Sequence, residues 1–85
     1  MKNIEIIAQA AVAVGLMNED EAQRCIESGA DIPLHSLGGW NRHGKYRVKD
    51  GEAGIEVKLW KRRDDGDGFY MAKTYLYTLD QLEEC

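Results

Sequence analysis

Residues 34–61 read LHSLGGWNRHGKYRVKDGEAGIEVKLWK, and they decide the fold because they hold both tryptophans, more than half of the basic side chains and the clearest strand pattern. From position 55 to 61 apolar and polar side chains alternate, which is typical of a strand with one buried face. The side assigned to the core carries Ile55, Val57 and Leu59. The opposite side carries Trp60, which we therefore expect to be exposed.

Shorter elements flank this strand. A brief strand pattern at 46–48 is followed by an Asp-Gly turn signal, and we interpret Gly51 and Gly54 as turn residues chosen for their backbone freedom. A second turn signal at 64–68 leads into a further strand pattern over residues 69–79. Strands joined by short turns predict a small, mainly antiparallel three-stranded sheet.

The N-terminal part of the chain has a helical pattern. Residues 3–14 are rich in alanine and carry apolar side chains on every turn, which predicts a helix that Gly15 ends. Asn18 with Glu21 three positions later forms a capping box, so a second helix begins there and runs to Gly29. We therefore predict an α+β fold in which this helical hairpin packs on one face of the three-stranded sheet.

The chain is short enough to form a single domain. Its 85 residues, 44% of them hydrophobic, support one small core, with a helical part at 1–33 and a β-rich part at 34–85. The apolar run from residue 4 to 14 follows no basic leader and is too short to span a membrane. Cys25 and Cys85 lack the spacing of a disulfide framework, so we expect a cytoplasmic protein with no membrane partner.

Charge is segregated along the chain. The net charge is −4, yet residues 1–33 carry −4, residues 34–63 carry +5 and residues 64–85 carry −5. Such blocks indicate one cationic surface on an otherwise acidic protein.

Cations interleaved with aromatic rings suit single-stranded nucleic acid, since Lys and Arg neutralise phosphates while flat rings stack on unpaired bases. Trp60, followed by three consecutive cations, is the strongest candidate. Trp40, in contrast, is predicted to pack a short helix onto the sheet, because large rings are usually buried. The residues predicted to bind nucleic acid are Lys58, Trp60, Lys61, Arg62, Arg63, Arg42, Lys45, Tyr46, Arg47 and Lys49.

The sequence contains no recognisable catalytic constellation. His35 and His43 have no partner at ligand or acid–base spacing, and the acidic segment 64–67 lacks the later bidentate Glu of a calcium loop. We therefore predict no enzymatic activity, no metal and no cofactor. The tyrosines at positions 70, 75 and 77 are interpreted as core and sheet surface.

A longer spaced pattern runs through residues 35–81. It comprises His35-Ser36-Leu37, Trp40, Gly44, Val48-Lys49-Asp50-Gly51-Glu52, Ile55, Trp60-Lys61, Tyr75-Leu76-Tyr77 and Gln81. This pattern resembles the N-terminal domain of the antirestriction protein ArdC. Asp50 and Ala53 stand where that family usually has lysines, and the H-E-x-x-H of its metallopeptidase domain is absent.

The resemblance implies a stand-alone module that binds single-stranded DNA, comes from a phage or mobile element, and acts in antirestriction and counter-defence. The acidic flanks leave a second hypothesis open. In that hypothesis the chain is an acidic, protein-binding inhibitor of a host defence nuclease, DNA-mimicking or anti-CRISPR-like, whose partner is the nuclease or another DNA-binding protein.

Overall fold

The computed structural model describes residues 2–85, which form three α-helices and four strands. The helices are α1 (Asn3–Ala13), α2 (Glu19–Ser28) and α3 (Leu37–Trp40). The strands are β1 (Tyr46–Val48), β2 (Ile55–Arg62), β3 (Phe69–Leu76) and β4 (Leu82–Glu84), with a 3-10 turn at Leu79–Gln81 before β4. The α+β class and the N-terminal helical hairpin are confirmed.

The strands form two antiparallel pairs instead of one three-stranded sheet. β2 pairs with β3, and β1 pairs with the C-terminal β4, which the sequence pattern did not predict. The Asp-Gly turn does form, since the Glu52 N–H donates to the Lys49 carbonyl at 3.1 Å. Among residues 2–85, however, only glycines have positive φ, and a type I′ hairpin turn needs it at both central positions. The turn at Gly51 (φ 83°) therefore separates β1 from β2 without pairing them.

Helix α2 begins and ends where its capping signals predicted, and α1 ends just before the predicted Gly15. The Asn18 side chain accepts a hydrogen bond from the Glu21 N–H (2.8 Å), and the Glu21 carboxylate accepts one from the Asn18 N–H (3.4 Å). Gly29 ends α2 in the left-handed conformation with φ of 71°, and Gly15 follows α1 with φ of 78°. These reciprocal bonds satisfy backbone groups that a helix end otherwise leaves unpaired.

The core lies where α1 packs against α2 on one side and β2 on the other. Small alanine side chains on α1 and α2 allow the helices to approach closely, and Ala11 is fully buried. The largest fully buried side chains are Leu34, at 0% exposure, and Leu76, at 2%. Across residues 2–85, no helix is long and apolar enough to cross a membrane.

Trp40 has the architectural role that the sequence predicted. Ser36 caps α3 by accepting a hydrogen bond from the Gly39 N–H at 3.1 Å. The Trp40 indole N–H then donates to the Tyr77 carbonyl at 2.8 Å, and its ring meets His35 edge-on at 4.8 Å between centroids. His35 also forms an antiparallel bridge with Tyr77, so this cluster ties α3 to the end of β3.

Gly54 is required for space and not, as predicted, for backbone freedom. Its φ is not positive, but a Cβ at this position would lie 2.8 Å from the Tyr77 ring and 2.9 Å from the Tyr75 Cβ. We expect Gly54→Ala to destabilise the protein by about 1–3 kcal/mol through overpacking. Gly38→Ala is the control, because a Cβ there meets nothing within 4 Å; it should be neutral or stabilise α3 by up to about 1 kcal/mol. Urea unfolding curves of the two variants measure the difference, and equal midpoints would contradict this explanation.

Candidate nucleic-acid interface

The β2–β3 hairpin has one face turned away from α1. The register places Trp60 opposite Met71, Lys58 opposite Lys73 and Arg62 opposite Phe69. Residues that lie opposite one another in an antiparallel pair point to the same side of the sheet. The outer face of the hairpin therefore consists of Glu56, Lys58, Trp60, Arg62, Phe69, Met71, Lys73 and Tyr75.

This outer face is unusually apolar for exposed surface. Phe69 is 61% exposed, Tyr75 47%, Trp60 43% and Met71 40%. Three of these four side chains are aromatic, and they occupy both strands along the length of the hairpin. Exposed apolar patches that are edged by polar groups mark sites that bind proteins, ligands or membranes.

The charges on the outer face are mostly positive. The Glu56 carboxylate lies 3.4 Å from the Lys73 ammonium and accepts a hydrogen bond from the Tyr75 hydroxyl at 3.2 Å. Lys58 and Arg62 have no ion pair among residues 2–85. The outer face thus offers two cations with no internal counter-ion and a third whose charge is shared with Glu56.

Asn3 holds Trp60 in place from the outer edge of β2. Its side-chain oxygen accepts a hydrogen bond from the Trp60 N–H at 2.8 Å, and its side-chain nitrogen donates to the Trp60 carbonyl at 3.1 Å. Both bonds involve the Trp60 backbone, so they fix the strand while the indole stays on the outer face. The start of α1 is thereby anchored to the candidate site.

The structure places only three of the predicted binding residues on the outer face. Lys58, Trp60 and Arg62 lie together on the outer face. Lys61 lies on the opposite side of β2, across from Tyr70. Arg63 follows β2 at the hairpin loop, where its N–H donates to the Gly68 carbonyl at 3.0 Å.

The remaining predicted residues belong to the β1–β4 part of the molecule. Arg47 forms an ion pair with Glu83 at 2.8 Å, and the Tyr46 N–H donates to the Asn41 side chain at 2.7 Å. The exposed side chains of this group are Arg42, Lys45, Arg47 and Lys49. The basic stretch is therefore not one continuous strip, because its N-terminal half pairs with the acidic C-terminal strand.

Sequence reasoning missed the contribution of β3 to the outer face. Phe69, Met71, Lys73 and Tyr75 alternate with Tyr70, Ala72, Thr74 and Leu76. This alternation was a usable signal, because buried Leu76 fixes the inner side and places the odd-numbered positions outside. Tyr75 is thus exposed sheet surface, whereas Tyr77 is half-buried against Gly54.

The structure places His35 beside a carboxylate and an aromatic ring. His35 lies 3.3 Å from the Asp31 carboxylate and against Trp40, a structural setting. Within residues 2–85, no group of three or more potential ligand side chains could hold a metal ion.

Comparison with known proteins gives no relative. No family model, no curated protein and no solved structure matches the chain. The resemblance to the ArdC N-terminal domain therefore stays a prediction based on the spaced residues quoted above.

Proposed function

We propose that this protein is a non-enzymatic module that binds single-stranded nucleic acid through the outer face of the β2–β3 hairpin. The observation that carries the proposal is the co-location of three exposed aromatic rings and three cations on that face. Unpaired bases stack on aromatic rings whatever their identity, so a mixed row of Trp, Tyr and Phe binds without demanding a sequence.

The spacing of the outer face suits an extended strand of nucleic acid. Side chains two positions apart on one strand are about 6.6 Å apart, and diagonal neighbours across the pair are about 7–8 Å apart. Trp60 and Phe69 are such diagonal neighbours, and Tyr75 lies further along β3. Two adjacent bases can therefore contact Trp60 and Phe69, and a third base about 13 Å further along the strand can contact Tyr75, while Lys58, Arg62 and Lys73 neutralise phosphates.

The overall acidity of the chain disfavours binding of nucleic acid away from its local groups of cations. The net charge of −4 weakens long-range attraction to nucleic acid, so affinity depends on a few local cations, and with few phosphate contacts it falls only gradually with salt concentration. The proposed biological setting, antirestriction and counter-defence by a phage or mobile element, comes from the ArdC resemblance and not from the binding surface.

A salt titration tests the proposal directly. With three phosphate contacts on a single strand, the logarithm of the binding constant should fall with the logarithm of salt concentration with a slope of about −2. The measurement is fluorescence anisotropy of a labelled single-stranded oligonucleotide. Replacing Lys58, Arg62 and Lys73 together by glutamine should weaken binding at low salt. The slope of the logarithm of the binding constant against that of salt concentration should then be close to zero.

A matched variant controls for total charge. Replacing Arg42, Lys45 and Lys49 by glutamine removes the same number of cations from the β1 region and should leave most of the slope in place. If both triple variants lose binding equally, the long-range field of the protein is responsible and the outer face is not the site. An absence of binding by the unmodified protein at low salt rules out the function.

The second hypothesis, a protein-binding inhibitor of a host nuclease, has one structural observation in its favour. Helix α2 carries Glu19, Asp20, Glu21 and Glu27 on exposed positions with Arg24 as its one cation. The first three of these acids occupy the first turn, where they also complement the helix dipole. We rank this function second, because the acids already have that structural role. Retention of a nuclease from host lysate by the unmodified protein but not by a Glu19→Gln, Asp20→Asn, Glu27→Gln variant supports it.

A further inference from the structure

In the part of the chain that the structure describes, the edge of β3 that faces away from β2 has no hydrogen-bond partner along most of its length. The Asn3 side chain bonds the Trp60 backbone at the outer edge of β2. At the outer edge of β3, the Tyr77 N–H donates to the His35 carbonyl at 2.8 Å and the His35 N–H donates to the Tyr77 carbonyl at 3.2 Å. Backbone groups alternate in direction along an antiparallel strand. Within residues 2–85, the outward backbone groups without a hydrogen-bond partner at this edge are those of Phe69, Met71, Lys73 and Tyr75.

The two edges of the hairpin differ in how well they are covered. The edge of β2 is interrupted at Trp60 by Asn3, and α1 packs against this strand. The edge of β3 carries neither a Pro nor a positive-φ residue between Phe69 and Leu76 that would disrupt pairing. An uninterrupted edge of this length is a template for one more strand.

We propose that the partner at this edge is a second copy of the chain, whose β3 adds antiparallel to form one continuous sheet with two strands from each copy. In this arrangement Phe69 lies opposite Tyr75 of the second copy, and Met71 lies opposite Lys73. Each of these residues exchanges both of its outward backbone hydrogen bonds with its opposite residue. Aromatic side chains directly opposite one another add cross-strand stabilisation.

The ends of β3 select this register. The strand begins at Phe69, so pairing it with Tyr75 ends the ladder two positions before the His35 bridge at Tyr77. A register one step longer places Phe69 against Tyr77, whose outward backbone groups His35 already occupies. That register also sets Lys73 opposite Lys73, and directly opposed like charges destabilise a sheet.

Dimerisation doubles the candidate interface. The outer faces of both hairpins become one surface, on which Phe69 and Tyr75 from the two copies meet at the new ladder and each Trp60 lies one strand further out. The dimer itself stands independently of nucleic-acid binding. Its role in extending the nucleic-acid platform rests on the proposed function.

The first test is mass in solution without nucleic acid. Sedimentation equilibrium should give about twice the chain mass of 9.6 kDa at high protein concentration. Met71→Pro removes an outward N–H at the β3 edge without touching the β2 ladder, and it should abolish the dimer. The matched control is Lys58→Pro, which removes an outward N–H at the other edge and should leave the dimer intact. A mass of 9.6 kDa for the unmodified protein at millimolar concentration overturns the proposal.

A second test does not depend on how well a proline variant folds. In the proposed register Ala72 lies opposite Ala72 of the second copy in a non-hydrogen-bonded pair, where Cα atoms are about 4.5 Å apart, within disulfide range. In a background with Cys25 and Cys85 replaced by serine, Ala72→Cys should form a covalent dimer on mild oxidation. Thr74→Cys faces Tyr70 of the second copy and should stay monomeric. Equal cross-linking of both variants, or of neither, contradicts the register.

These outcomes separate the dimer from the proposed function. If the protein is a dimer but binds no oligonucleotide, the proposed function is ruled out and the proposed dimer interface is supported. If the protein is a monomer and binds oligonucleotide through Trp60, the proposed function is supported and the proposed dimer interface is ruled out.

Discussion

Replacing Leu76 by alanine is expected to remove a substantial share of the free energy of unfolding of the protein. Leu76 is 2% exposed and belongs to the cluster formed by the α1 alanines, Ile32 and Leu34. Truncating a buried leucine costs about 2–5 kcal/mol, because the cavity left behind is only partly refilled. A domain of this size has a total stability of about 4–13 kcal/mol, so the loss is a substantial share of it.

Urea unfolding followed by circular dichroism measures this effect. Leu79→Ala is the control, since Leu79 is 50% exposed and its truncation creates no cavity. We expect the midpoint of Leu76→Ala to fall far below that of the unmodified protein, with the midpoint of Leu79→Ala nearly unchanged. Similar midpoints for the two variants would show that the core does not lie between β3 and the helices.

Trp60→Ala is expected to weaken binding of single-stranded oligonucleotide about 5- to 150-fold, equivalent to the 1–3 kcal/mol of one base stacked on an aromatic ring. The Asn3 hydrogen bonds involve the Trp60 backbone and survive the substitution. The loss should appear in fluorescence anisotropy at a fixed, low salt concentration.

Tyr70 supplies the matched control for this experiment. Tyr70 and Trp60 are both 43% exposed, but Tyr70 lies on the opposite side of the hairpin, across from Lys61. Tyr70→Ala removes a comparable exposed ring from the same hairpin and should leave affinity within about twofold of the unmodified protein. If Tyr70→Ala weakens binding as much as Trp60→Ala, the nucleic acid does not distinguish the two faces and the assignment of the outer face is wrong.

Local patterns predicted the helices and the orientation of β2. The capping box at Asn18 and Glu21 acts within one helical turn, so its outcome depends on no distant residue. The exposure of Trp60 followed from the alternation along β2, which places it with Glu56 and Lys58 on the face opposite the half-buried Ile55, Val57 and Leu59, as the structure also has it. These features are fixed by neighbours in sequence, which is why the sequence alone was sufficient for them.

Long-range pairing could not be predicted in the same way. The association of β1 with β4 joins residues 46–48 to residues 82–84, and no local pattern specifies that partner over β2. Half of the outer face comes from β3, whose contribution requires the register of Ile55 with Leu76. The basic residues near β1 looked continuous with those of β2 because sequence distance is small, although the turn at Gly51 sends the two strands to different partners.

The carboxamide of Asn3 occupies backbone groups at the edge of β2, so β3 is the edge of the hairpin that is more open to another strand. A sheet grows without limit only when each added strand presents a further open edge, and here the β2 edge is interrupted at Trp60 by Asn3 of the N-terminal helix. When two copies pair through β3, the more open edge of each hairpin becomes hydrogen-bonded to the other copy. In the proposed dimer both β3 edges are paired with each other, which favours a closed pair over continued addition of strands.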